Sequence, residues 1–227
     1  MNNKQRLFLK NQVLPNYSKG EEIFNLASHA FGGFVSIIMM TLAVQAEIIK
    51  NLSMIEILSL VVYGFSAIAL YTISSIYHGL NEDLIAKKIF RIIDHCTIYL
   101  LIAGTYTPIC MIRLISSYQG NIILALQWSL AILGIVLNAL WLNNKAVKII
   151  SIILYIALGW MIVFVPGSID MLEFKEFLFI LLGGLVYSIG VIFYGMGKNI
   201  KWAHSIFHIF CVVATILQFI GIYMMII

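Results

Sequence analysis

From Glu21 onward the chain is built from long apolar runs broken by short polar stretches. A membrane-crossing helix needs about 20 mostly apolar residues. Runs of that kind cover residues 23–48, 54–78, 89–112, 121–142, 147–165, 177–196 and 203–226. The pattern predicts an all-α, seven-transmembrane helix bundle. Polar connections such as 81–88 and 143–145 are short, as expected between antiparallel neighbours. Residues 1–20 are polar and basic and read as a short cytoplasmic arm ahead of one transmembrane domain, 21–227. The apolar stretch that follows is too long for the core of a signal peptide.

Composition agrees with lipid as the main solvent. Hydrophobic residues make up 62% of the chain and charged residues 11%, with mean hydropathy +1.00. Soluble domains carry about 25% charged residues. The net charge of +4 bears on orientation rather than on nucleic acid, for which no partner role is expected. With the N-terminus inside, the inner segments hold eleven basic residues, among them Lys4, Arg6, Lys10, Lys87, Lys88, Arg91 and Lys198. The outer segments hold only Lys50, Arg113 and Lys175. The positive-inside bias therefore puts the N-terminus in the cytoplasm and the C-terminus outside. Cys96, Cys110 and Cys211 are scattered, lack CxxC spacing and read as small buried side chains. Pro166 is expected to stop the fifth span and Pro108 to bend the third. Gly184 and Ser188 form a small-xxx-small pair that would allow close helix approach on the sixth.

With this topology all five histidines fall at the cytoplasmic end. His78 ends the second span, with Ser74 one turn deeper. Asp94 and His95 open the third span. His204 and His208 share one face of the seventh at i, i+4. Glu22, Asn25 and His29 share a face of the first. Ionisable groups below the membrane interface usually face the bundle interior and find partners there. Two histidines at i, i+4 and a third from another helix can hold one ion and leave a fourth tetrahedral position open, as in catalytic zinc sites. His78, His204 and His208 meet that description. Asp94 could hold or deprotonate a metal-bound water, whose pKa zinc lowers to about 7. Ser74 could support an oxyanion or an imidazole. Plainer roles exist for each. Asp94 could pair with Arg91, Ser74 could bond the carbonyl of Leu70, and Glu22 and Asn25 could cap the first helix. His95 and Cys96 point to other faces and are weaker ligand candidates.

These residues occur as Glu22-x-x-Asn25-x-x-Ser28-His29, Ser74-x-x-x-His78, Asp94 followed by 98–108 (IYLLIAGTYTP), and His204-x-x-x-His208. In that order they resemble the bacterial hemolysin III branch of the progestin and adiponectin receptor family. The wider superfamily, which includes alkaline ceramidases, is similar in its Ser-x-x-x-His, Asp and His-x-x-x-His pattern. The resemblance runs from Glu21 onward. It implies seven helices in a bacterial plasma membrane and Zn2+ near the cytoplasmic face, held by His78, His204 and His208. Asp94 would contact the zinc-bound water, with Ser74 nearby. Hormone binding by the animal members is not carried over.

Three functions follow as expectations. The first is a zinc-dependent hydrolase of a lipid amide or ester, with membrane lipid entering sideways between helices. The second is a sensor or receptor in which zinc is structural. The third is a pore-forming hemolysin, disfavoured because polar residues cluster at one end of the spans.

Overall fold

The computed structural model describes residues 12–227 except Leu52 and Lys198. Of the basic residues counted above, Lys4, Arg6, Lys10 and Lys198 therefore lie outside the described residues. The described chain is all-helical. Helix α1 spans Lys19–Lys50, α2 Met54–Gly79, α3 Ile85–Pro108, α4 Tyr118–Trp141, α5 Lys145–Gly159, α6 Phe174–Met196 and α7 Ala203–Met224. All but α5 are long and apolar enough to cross a membrane. The shortest of these six, α7, has 22 residues, or about 33 Å at about 1.5 Å per residue, against a hydrocarbon core of about 30 Å. Their outward faces carry exposed Phe31, Phe34, Phe65, Leu133 and Ile192, a surface suited to lipid.

Local chemistry sets the helix starts. Ser53 and Glu56 form a capping box at α2, Ser117 caps α4 and Asn144 caps α5. Each side-chain oxygen satisfies a backbone N–H that the first turn leaves unpaired. At α1 the box belongs to Ser18 and Glu21, whose side chains bond each other's backbone N–H groups. Glu22 is therefore not the cap, and its side chain goes elsewhere.

The fifth span is broken. Helix α5 has 15 residues, stops at Trp160 and resumes as a single turn, Met161–Phe164, ending short of Pro166. The break is satisfied by neighbours. Tyr106 Oη donates to the Gly159 carbonyl at 2.7 Å and accepts from Ile162 N at 3.2 Å, while Gln127 Nε2 donates to the Leu158 carbonyl at 2.8 Å. Irregular backbone at membrane depth is tolerated where protein groups replace the missing bonds. At Pro108, which lacks an N–H, α3 gives way to a π-helical turn, Ile109–Arg113.

Packing centres on α2, α3 and α7, whose apolar windows are 50%, 61% and 50% buried, against 17% for α6. Helices α6 and α7 pack closely, as do α1 with α2 and α2 with α3, while α7 also meets α1 and closes the ring. The small-residue contact on α6 is offset by one position from the Gly184/Ser188 expectation. A Cβ at Gly183 would meet Gln218 Cγ at 2.5 Å and the Ala214 carbonyl of α7 at 3.0 Å, whereas one at Gly184 would come no nearer than 3.9 Å to Trp160. Gly184 and Ser188 instead face a cavity, and Ser188 accepts from Trp160 Nε1 at 3.0 Å.

Candidate metal centre

Where α1 and α7 begin and α2 ends, His78, His204 and His208 are all buried, and one ring nitrogen from each lies within 4.8 Å of the others. His208 Nδ1 lies 3.2 Å from the Asn25 carbonyl. A carbonyl only accepts, so Nδ1 carries the proton and Nε2 presents a lone pair. That Nε2 is 3.2 Å from His204 Nε2, so either a proton or a cation lies between the two nitrogens. Tetrahedral zinc with Zn–N of 2.0–2.1 Å would place two ligand nitrogens about 3.3 Å apart.

His78 is oriented in the same way. Its Nδ1 is 2.5 Å from Glu22 Oε2, and Glu22 Oε1 accepts from Lys87 Nζ at 2.7 Å. Lys87 also donates to the Leu80 carbonyl at 2.8 Å. The proton on Nδ1 leaves His78 Nε2 as an acceptor, buried and without a hydrogen-bond partner. An orphaned imidazole nitrogen in a cluster of three buried histidines fits a cation with neutral nitrogen ligands.

Asp94 and Ser74 both line the cavity beside this cluster. The expected Asp94–Arg91 pair is not formed, since no carboxylate lies within ion-pair range of Arg91 among the described residues. His95 lines the cavity but is held by the Arg91 carbonyl at 2.8 Å and the Tyr194 hydroxyl at 3.2 Å. Cys96 Sγ contacts the Ile135 carbonyl at 3.6 Å. Neither joins the cluster. His29 stacks on His208 with ring centroids 3.6 Å apart.

The site cavity, of about 120 Å3, adjoins an apolar one of about 100 Å3. The two share Leu70, Ile98, Ile152, Tyr194, Phe207 and Cys211. The second runs past Ile102, Trp160, Tyr187 and Gln218, between α3, α5, α6 and α7. Across the mouth lies the segment before α1. Pro15 and Tyr17 line the cavity, and the Tyr17 ring stacks on His204 at 4.9 Å and 16°. Burial pushes the Tyr17 phenol above its ordinary pKa, so at neutral pH it is a hydrogen-bond donor.

Several of these residues were not picked out as site residues from the sequence. Glu22 sat on the correct face but looked like a cap. Lys87 and Arg91 were counted as orientation charges, although their i, i+4 spacing matches the inward face that both occupy, at 2% and 5% exposure. Tyr17 precedes any periodic segment and gave no signal.

A helical, lipid-facing bundle with a buried polar centre at one end defines a multi-pass membrane protein. A family profile described as Haemolysin-III related matches residues 17–219, and the chain belongs to that family. Hemolysin-3 of Bacillus cereus is 34% identical over 201 residues, 88% of this chain and 89% of that protein. The Hemolysin-3 homolog of Bacillus subtilis (strain 168) is 35% identical over 191 residues, 84% and 87% of the two chains. More distantly, the human monocyte to macrophage differentiation factor is 25% identical over 169 residues, 71% of this chain and 68% of that one.

Proposed function

We propose that this protein is a zinc-dependent hydrolase of a lipid amide or ester, with seven crossings, its N-terminus in the cytoplasm and its site near the cytoplasmic face of a bacterial plasma membrane. The seventh crossing is α5 with its one-turn extension. Residues 1–20 would be the arm and 21–227 the single transmembrane domain.

The observation that carries the reading is the buried cluster of His78, His204 and His208, with one ring nitrogen from each within 4.8 Å of the others, and His78 Nε2 buried without a partner. Those three would hold the ion, which when bound polarises a carbonyl and activates water. Asp94 would accept the proton of the attacking water, with the Ser74 hydroxyl steadying its carboxylate. The apolar cavity would take an acyl chain and place the carbonyl beside Asp94. Glu22 and the Asn25 carbonyl would fix the two imidazoles.

A structural-zinc sensor would need a closed, four-ligand site. Of the candidates for a fourth ligand, Asp94, His95 and Cys96, the last two are engaged elsewhere, so the role of Asp94 decides between the open and the closed site. The name of the Bacillus cereus relative suggests lysis, which purified protein can be tested for on erythrocytes. The deciding experiment is hydrolysis of acyl-amide and ester lipids by purified, zinc-loaded protein in detergent, with His208→Ala alongside. Turnover lost in a variant that still folds, melting cooperatively as the chelated wild type does, supports the reading. Equal turnover by both proteins, or none by wild type with stoichiometric zinc, refutes it.

A further inference from the structure

Two basic side chains are buried one turn apart on α3, and they differ in how their charge is met. Lys87 is neutralised by Glu22 and capped by the Leu80 carbonyl. Arg91 is 5% exposed and lines the site cavity. Its Nε has no hydrogen-bond partner, and among the described residues its side-chain bond, from Nη1 to Asn143 Oδ1, is 3.5 Å long. Buried charges are ordinarily paired, and a guanidinium offers donors in a fixed fork that suits an oxyanion. Two phenols, Tyr17 and Tyr77, line the same wall, and Lys148 stands there too. Asp94 is the only carboxylate lining the cavity among the described residues, and although its charge attracts that of Arg91 the two are not within ion-pair distance.

We propose that this wall is an oxyanion subsite: Arg91, with the Tyr17 and Tyr77 hydroxyls, takes the anionic group of an acyl lipid whose chain lies in the adjoining apolar cavity. The inference rests on the lipid-hydrolase reading for its context and narrows the substrate class to anionic lipids. The oxyanion could be a headgroup phosphate or a fatty-acid carboxylate, and both present the same chemistry to the guanidinium. The two cavities are adjacent, with six lining residues in common, and the acyl chain would lie in one with its anionic group in the other.

The test is calorimetric binding to the full chain in neutral maltoside micelles, after chelation so that neither metal nor turnover is involved. The probes are dodecyl phosphate, laurate, dodecanol and inorganic phosphate. At least one of the two anionic amphiphiles should bind wild type about tenfold or more tightly than dodecanol, the gain expected of a charged hydrogen bond. Preference for the phosphate identifies a headgroup, and equal binding of laurate identifies a carboxylate. Arg91→Met should abolish the preference and Arg91→Lys should retain part of it. Arg91→Met should also raise the melting temperature without ligand, because it removes a buried charge that no carboxylate among the described residues meets at ion-pair distance, whereas a structural pairing with Asp94 would make it fall. Three results overturn the proposal: no preference of wild type for either amphiphile over dodecanol, a preference that survives Arg91→Met, or a melting temperature that falls in that variant. Failure of hydrolysis alone would leave the binding result standing, so the two readings fail separately.

Discussion

Removing the negative charge at Glu22 tests whether the histidine cluster is a metal site. Glu22 touches no ligand position itself, but its carboxylate lies 2.5 Å from His78 Nδ1 and 2.7 Å from Lys87 Nζ. A charge-assisted bond this short fixes the ring and makes the opposite nitrogen a better donor to a cation. Loss of such a supporting partner typically lowers metal affinity 10–100-fold. Glu22→Gln keeps an oxygen that can accept from Nδ1, so the expected loss is about tenfold, or about 1.4 kcal/mol. Glu22→Ala also strands the Lys87 charge in a buried position, and breaking a buried pair costs about 3–5 kcal/mol, enough to confuse affinity with folding. The double variant Glu22→Gln, Lys87→Met separates the two effects: stability should recover while zinc affinity stays low. Zinc affinity is read by competition with a chromophoric chelator, and the ligand field by the visible spectrum of the cobalt-substituted protein. Wild-type zinc affinity in Glu22→Gln, together with an unchanged cobalt spectrum, would refute the argument.

Other consequences are open to direct measurement. His78→Ala, His204→Ala and His208→Ala should each lose stoichiometric zinc by elemental analysis. Chelation should lower the melting temperature in detergent, since an ion at 1,000 times its dissociation constant contributes about 4.1 kcal/mol. Asp94→Asn should keep its zinc but lose roughly 10²–10⁴-fold in turnover, the range for a general base; zinc loss in this variant would make Asp94 a ligand instead. A Cβ at Gly134 of α4 would collide with the ring of Tyr99, which is fully buried. Gly134→Ala should therefore destabilise by about 1–3 kcal/mol in a thermal melt.

The helices were legible because apolar runs of membrane length are a coarse signal, and boundaries such as 177–196 and 203–226 lie within a few residues of α6 and α7. The broken α5 was not legible. Its apolar run passes through Trp160 without interruption, and the break depends on Tyr106 and Gln127, which come from other helices. The three histidines stood out because helix spacing and depth locate them without tertiary knowledge. Glu22, Arg91 and Tyr17 did not, since a long side chain's partner across a helix interface leaves no periodic trace. Glu22 in particular looks like an N-cap until Ser18 and Glu21 are seen to hold that role.

The division of the cluster between α2 and α7 has a consequence for biogenesis. One candidate ligand emerges from the ribosome near the start of the bundle and the other two only with its last described helix, 126 residues after His78 in the case of His204. A chain stalled before Trp202 holds one imidazole of the three and cannot close the site. Glu22 and Asn25 arrive first of all, in α1, and wait for partners from both later helices. Capture of the ion would therefore report that all the intervening helices have been inserted and that the first and last have met.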